Sequence, residues 1–312
     1  MMTFAEAVAR VRAAGSYADL KGAASYREWA RILHPDVAPE GLRATATTAF
    51  GRLSGLYAER DGTVLRTPRG EYRVGAVVHS GDIADLAGTR GGGALVKLPR
   101  EPRDNDLMAA EAAALLRLRD GDPTFRPYAP RLIDSFRHED GSRVQRTVNV
   151  LERLDGFVPL SDLRRTIDPR DAAWMFRRLL TGLGWAHRAG VVHGAVLEEH
   201  VLIHPAEHGL ALVDWCYSGE RVVAVVKHRR DAYPPEVFTD RRNTPATDVY
   251  MAVGLLRRLV GDGLPAALQR FADGCSYDAP RMRPQDPWAL LGEFDELLHK
   301  LYGPRTFRPF TV

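Results

Sequence analysis

The hydrophobic periodicity of this chain changes twice along its 312 residues, and this limits the folds it can adopt. Up to about residue 60, apolar residues recur at the three- and four-residue spacing of amphipathic helices. From Glu71 the pattern becomes that of short strands, and after residue 160 it is mostly helical. Strands and helices in separate blocks predict an α+β fold rather than an alternating α/β sheet.

The same patterns predict the domain boundaries. Three short helices occupy residues 3 to 60, and Asp61-Gly62 ends the last one, which gives a small all-α domain at 1–62. Residues 63–70 contain a proline and a glycine and are predicted to be a linker. The strands that follow are expected at Tyr72 to Val78, Ala94 to Leu98 and around Val148 to Leu151, with a helix at about 105 to 119.

Composition excludes several classes of protein. The net charge of +3 is small for this length and does not favour a nucleic-acid partner, which calls for a clustered basic face. No apolar run approaches the ~20 residues of a membrane span, so no membrane association is expected. Two cysteines far apart in sequence, Cys216 and Cys275, favour a reducing compartment. We therefore expect a cytoplasmic protein.

Two predicted helices carry a carboxylate in the middle of an apolar stripe, Glu111 in one and Asp248 in the other. An unpaired buried charge costs several kcal/mol, so each acid needs a cation or backbone donors. Lys97 ends the apolar run Ala94-Leu95-Val96 and is the expected partner of Glu111. The alternative is that Glu111 extends to solvent.

A His34-Pro35-Asp36 tripeptide lies between two amphipathic helices, next to basic residues. This arrangement resembles the second helix and loop of a J-domain, across about residues 3 to 60. J-domains stimulate ATP hydrolysis by DnaK-type chaperones, so the resemblance implies such a chaperone as partner. The residues that it assigns to chaperone binding are Lys21, Arg27, Arg31, His34, Pro35 and Asp36. The alternative is a three-helix bundle with a chance turn.

The rest of the chain contains short motifs in the order of the protein-kinase signature set. They are Ala94 to Lys97, Glu111, Val150 to Leu154, His193 to His200, Asp214 to Cys216, Pro234 to Glu236, Asp248 and Arg283. Together they resemble a protein kinase across about residues 71 to 295. The resemblance implies a bilobal α+β fold, with an antiparallel-sheet N-lobe and hinge at 71–154 and a helical C-lobe and tail at 155–312. It also predicts that Arg283 pairs with Glu236.

The catalytic loop departs from the family. Ala195 stands where the family has its catalytic aspartate, and His200 replaces the metal-binding asparagine. Alanine cannot deprotonate a hydroxyl, and loss of a general base typically costs ~10²–10⁴ in rate. Imidazole is a poor Mg²⁺ ligand, and Gly194 replaces the arginine that binds activation-loop phosphate. The Gly-rich loop keeps only Gly81, and Asp82 adds a negative charge where phosphates would lie.

Three polar groups of the family's nucleotide site survive in this sequence. The resemblance assigns ATP binding, with Mg²⁺ or Mn²⁺ held by Asp214, to Gly81, Lys97, Glu111, Glu152, Leu154 and Asp214. The alternative is that Lys97, Glu111 and Asp214 are structural and bind no ligand.

The leading hypothesis is a co-chaperone or adaptor without phosphoryl-transfer activity. Its kinase-like domain binds a protein partner or client, with ATP as a candidate cofactor, and its J-domain recruits a DnaK-type chaperone. One alternative is an atypical kinase or nucleotidyl transferase that uses Glu198, Glu199 or Asp82, and another is a structural scaffold. The basic run at 227–242 is either a solvated face or a docking site for an acidic partner. The aromatic tail, Phe307 to Phe310, is expected to pack on the helical lobe.

Overall fold

The chain forms two compact units, residues 1–98 and 99–312. The computed structural model describes residues 2–15, 17–20, 22–39, 41–59, 64–139, 143–163 and 166–312. Among these residues, no helix is both long and apolar enough to cross a lipid bilayer.

The first unit begins with the three predicted helices. They are α1 (Phe4–Ala13), α2 (Tyr26–Leu33) and α3 (Arg43–Glu59). Their apolar stripes meet in one core, in which Trp29, Leu33 and Leu53 are fully buried. The periodicity of the sequence therefore predicted these helices correctly.

Polar side chains fix the ends of these helices. Glu28 accepts a hydrogen bond from the backbone N–H of Ser25 at 2.7 Å, while the Ser25 hydroxyl accepts one from the Glu28 N–H at 3.3 Å. This capping box satisfies donors that an α-helix leaves unpaired at its N-terminus. Arg52 of α3 donates to the carbonyl oxygens of Val11 and Ala14, at 2.8 and 2.7 Å, and so caps the C-terminus of α1.

Four strands complete the first unit. They are β1 (Val64–Thr67), β2 (Gly70–Ser80), β3 (Ala84–Thr89) and β4 (Ala94–Pro99), in that order across the sheet. The prediction of a linker at 63–70 is wrong, because β1 pairs antiparallel with β2 and places Val64 opposite Arg73. Pro68 lies in the turn of this hairpin and Gly70 begins β2, and the Arg69 N–H in the turn donates to the Thr67 hydroxyl at 3.1 Å.

The described part of the second unit contains most of the helices and three antiparallel strand pairings. In chain order its elements are α4 (Asn105–Asp120), β5 (Leu132–Glu139), β6 (Gln145–Glu152), β7 (Val158–Pro159), α5 (Pro169–Arg188), β8 (Val201–His204), β9 (Gly209–Leu212), α6 (Glu236–Thr239), α7 (Pro245–Val260), α8 (Ala266–Gly274) and α9 (Pro287–Tyr302). Strand β5 pairs with β6, and β7, β8 and β9 form a small sheet. Antiparallel strands with separate helices agree with the predicted α+β class.

A buried ion pair joins α6 to the segment before α9. The Arg283 guanidinium donates to both carboxylate oxygens of Glu236, at 2.6 and 3.0 Å, and Thr247 of α7 donates a third hydrogen bond at 3.0 Å. Both side chains are almost fully buried. The pairing predicted from the sequence is therefore confirmed.

We expect Arg283→Met to lower the free energy of unfolding by about 3–5 kcal/mol, because it leaves the Glu236 carboxylate buried without its cation. Adding Glu236→Gln should restore part of that loss, and a double-mutant cycle in urea measures the coupling. Arg242 and Glu220, 67 % and 83 % exposed, provide the matched surface pair, and Arg242→Met should cost less than about 1 kcal/mol. Equal losses at the two arginines would contradict the prediction.

Candidate functional site

Asp248 organises the loop that runs from His193 to His200. Its fully buried carboxylate accepts hydrogen bonds from the backbone N–H groups of His193 and Gly194, both at 2.8 Å, and contacts His187 Nε2 at 2.8 Å. The predicted need of this acid for backbone donors is confirmed. Gly194 adopts a φ of +75°, and a Cβ there would clash with the Tyr217 carbonyl oxygen. The fold therefore requires glycine at this position.

The buried ring of His193 is held in one neutral form. Its Nδ1 accepts the Ala195 N–H at 3.3 Å, so Nε2 carries the hydrogen and donates to the Val213 carbonyl at 3.0 Å. Burial lowers the pKa of His193 to about 4, although the charge of Asp248 acts in the opposite direction. His193 is thus a structural bridge that carries no charge at neutral pH.

The surroundings of His200 favour the protonated ring instead. Its Nδ1 faces the Ala195 carbonyl at 2.9 Å and its Nε2 faces Asp214 Oδ2 at 3.1 Å. Both neighbours are acceptors, an arrangement that favours protonation of both ring nitrogens. Burial alone would lower the pKa of His200, but the charge and hydrogen bond of Asp214 outweigh it and raise the pKa. At the position matched to a metal-binding asparagine, the chain therefore places a histidine whose surroundings favour its charged form.

Asp214 lies close to two other candidate ligands. One ligand atom each from Glu111, Asp214 and Cys216 lies within 4.8 Å of the others. The Asp214 backbone adopts a left-handed conformation, with φ 61° and ψ 54°, which costs energy in a residue other than glycine. Two carboxylates suit Mg²⁺ or Mn²⁺, but a thiol suits a softer ion, and the His200 cation opposes any added positive charge. This donor set is therefore a poor fit for Mg²⁺ and Mn²⁺, both of which prefer oxygen ligands.

Glu111 is held inside the second unit. It is 1 % exposed, and Asn149 of β6 donates to its Oε2 at 2.9 Å and to the Met108 carbonyl at 2.9 Å. The alternative that Glu111 extends to solvent is therefore wrong. Lys97, its expected partner, is 3 % exposed on β4 of the first unit, and their pairing stays a prediction.

Glu198 and Glu199, the two glutamates considered above as substitute catalytic groups, form ion pairs. Arg229 lies 3.0 Å from a carboxylate oxygen of each, and Arg258 lies 3.0 Å from Glu198. Burial would raise the pKa of Glu199, but hydrogen bonds from its own backbone and from Arg229 lower it. A carboxylate held in this way is a weak proton acceptor, which disfavours a role as general base. Ala195, at the centre of the loop, is fully buried.

Arg229 also changes the interpretation of the basic run at 227–242. Its guanidinium points to the two glutamates, and the Arg230 guanidinium lies 4.1 Å from the centre of the Phe238 ring. Lys227, by contrast, is exposed. The run is therefore only partly a solvated face.

The remaining residues assigned to nucleotide binding lie at strand ends and turns. Gly81 is in the turn between β2 and β3, where its N–H donates to the Ala84 carbonyl at 2.9 Å. Glu152 ends β6 and accepts from the Arg131 N–H at 3.2 Å, and Leu154, two residues later, is partly buried.

Among the residues assigned to chaperone binding, those that the structure describes lie at the surface. Arg27, Arg31 and His34 are exposed, and Pro35 is partly buried in a single helical turn that follows α2. The His34 ring lies 5.3 Å from the Phe50 ring of α3, edge to face. Lys21 and the side chain of Asp36 lie outside the described residues.

No family model and no curated protein matches the chain. The likeness to J-domains and kinases therefore depends on the motifs themselves and on the geometry around them.

Sequence reasoning missed Asn149 and Arg229. Asn149 interrupts the apolar run from Val148 to Leu151, and a lone amide in such a run indicates a buried hydrogen-bond partner. No sequence signal identified Arg229, because its two partners are about thirty residues away and it lies in a run of similar charges.

The two histidines should give opposite pH dependences of stability. Unfolded His193 binds a proton near pH 6.5 and the folded residue only near pH 4, so the free energy of unfolding should fall by about 3 kcal/mol as pH drops between these values. The raised pKa of His200 means that its contribution is present below its unfolded pKa and is lost as pH rises through its folded pKa. The measurement is the free energy of unfolding in urea, between pH 6.5 and pH 4, of wild type and of His193→Gln, which keeps an N–H donor. An equal acid slope in both proteins would show that His193 is not the group responsible.

Proposed function

We propose that the chain is a co-chaperone adaptor whose kinase-like part binds a protein partner or client and does not transfer phosphate. The observation that carries this proposal is the ion pair between His200 and Asp214, beside a loop that has alanine at the predicted catalytic position. That arrangement supplies neither a general base nor an open metal carboxylate.

Phosphoryl transfer depends on positioning and on neutralising the charge of the phosphates, which metal ions normally do. Here Asp214 contacts His200, whose surroundings favour the protonated ring, and this contact lowers the value of the carboxylate as a metal ligand. Glu198 and Glu199 are ion-paired and do not replace the missing aspartate. These contacts favour a binding role over the alternative of an atypical transferase.

The chaperone part of the proposal is supported by the surface around His34. Exposed cations at Arg27 and Arg31 lie on α2, directly before the exposed His34. Such a patch steers an acidic partner and raises the association rate. The capping box at Ser25 and Glu28 fixes the start of the helix that carries these cations. Glu28 therefore has a structural role, and its position within the basic face does not count against a partner surface.

We expect His34→Gln in the intact chain to abolish stimulation of a DnaK-type chaperone ATPase, because the substituted ring belongs to the predicted contact loop. The measurement is steady-state phosphate release by the chaperone with increasing amounts of each variant. His79→Gln, at an exposed position of β2, is the matched control and should stimulate as wild type does. If His34→Gln stimulates as well as the control, the J-domain assignment is wrong.

A nucleotide remains the proposed ligand of the kinase-like part. The resemblance assigns phosphate contact to Lys97 and metal contact to Asp214. A buried lysine and a buried glutamate are costly to keep in a folded chain, which is consistent with a retained binding role. Because His200 already supplies positive charge beside Asp214, we propose that divalent metal contributes little to the affinity.

We expect Lys97→Ala to weaken ATP binding at least tenfold and Glu111→Ala to weaken it less, since the lysine contacts phosphate and the glutamate only positions it. Isothermal titration calorimetry in Mg²⁺, Mn²⁺ and EDTA measures both effects, with the exposed Lys300→Ala as control. Equal binding by wild type and Lys97→Ala would exclude the nucleotide site. No binding by wild type would favour the scaffold alternative.

A further inference from the structure

The second unit contains a cavity of about 780 Å³ that the proposed function does not use. Its walls come from α5, α9 and the C-terminal segment at 303–308. This volume lies within the range of small-molecule sites, about 300–1,000 Å³. None of the residues assigned above to chaperone, nucleotide or metal binding lines it.

One wall of the cavity is a stack of rings. Trp174 and His208 lie parallel, with ring centroids 4.1 Å apart and an interplanar angle of 6°. Phe307 adds a third ring, 4.5 Å from His208, and Phe310 packs edge-on to Trp174. The tail was predicted to pack on the helical part, which holds for the buried Phe310, whereas Phe307 is 67 % exposed. The exposed face of Phe307 favours a planar ligand that can stack on it.

The other walls are strongly cationic. Four arginines line the cavity, Arg170, Arg177, Arg305 and Arg308. Arg177 pairs with Asp295, and Arg308 lies 3.3 and 3.5 Å from carboxylate oxygens of Asp168 and Asp171. Arg305 has no ion-pair partner among the described residues, and burial, together with the charges of Arg305 and Arg178, lowers the pKa of Arg177. The unbalanced positive charge of the cavity is therefore at Arg305.

Two buried polar atoms in the ring stack have no hydrogen-bond partner among the described residues. They are Trp174 Nε1 and His208 Nε2, on side chains that are each 8 % exposed. An indole N–H is only a donor, so it requires an acceptor atom. Neither atom has appreciable exposed surface, so the wall presents the rings rather than these polar atoms to the cavity.

We propose that this cavity binds a small organic anion that combines a planar ring with a phosphate or carboxylate group. The ring of the ligand stacks on the exposed Phe307 ring, which the buried Trp174 and His208 pair supports, and the charged group lies against Arg305. This site is independent of the chaperone and nucleotide proposals, because it uses none of their residues.

The test titrates the intact chain with phenyl phosphate, benzoate, phenol and inorganic phosphate by isothermal titration calorimetry. We expect phenyl phosphate or benzoate to bind at least tenfold more tightly than phenol and inorganic phosphate, and the better of the two identifies the charged group. Arg305→Glu should weaken that binding at least tenfold, while Arg281→Glu, an exposed arginine away from the cavity, should leave it unchanged. Phe307→Leu removes the exposed ring but keeps an apolar side chain, and should also weaken the binding.

Three results would overturn the proposal. The first is no binding of either ring-bearing anion. The second is equal binding of inorganic phosphate, which would show a plain anion site without ring recognition. The third is an equal loss in Arg305→Glu and Arg281→Glu, which would show a general effect of net charge rather than a site at the tail.

Discussion

The buried carboxylate of Asp248 is the interaction on which the geometry of the candidate site depends. Without it, the N–H groups of His193 and Gly194 would be buried without acceptors, and each such group costs roughly 1–3 kcal/mol. With it, the chain turns so that His193 contacts Val213 and His200 contacts Asp214. One acid on α7 therefore determines where two segments far apart in sequence meet.

The same loop contains two histidines whose pKa values shift in opposite directions, and the difference follows from their hydrogen-bond partners. The ring of His193 meets one donor and one acceptor, which a neutral ring satisfies. His200 meets two acceptors, one of them a carboxylate, so only the doubly protonated ring satisfies both. Burial is similar for the two residues, so hydrogen-bond partners rather than solvent access set the charge.

The sequence predicted side-chain contacts best where a buried charge needs a particular kind of partner. A carboxylate in an apolar stripe needs hydrogen-bond donors, and Asp248 has them. The order of the motifs predicted the pair of Glu236 and Arg283. Sequence reasoning was wrong at 63–70, because proline and glycine indicate a turn but do not tell a linker from a hairpin. It also interpreted His200 only as a poor ligand, since its charge depends on Asp214, fourteen residues away and adjacent only after folding.

The backbone at Gly194 has a consequence for how this loop can change over time. Any side chain there would meet the Tyr217 carbonyl and the Asn243 amide, in a left-handed conformation that already disfavours a Cβ. A single codon change that introduced arginine at this position would therefore damage the fold before it could provide a phosphate-binding group. A smaller residue at position 243 would not relieve the clash with the Tyr217 carbonyl, because that oxygen belongs to the backbone. The packing around one glycine therefore closes this position to any side chain, charged or apolar.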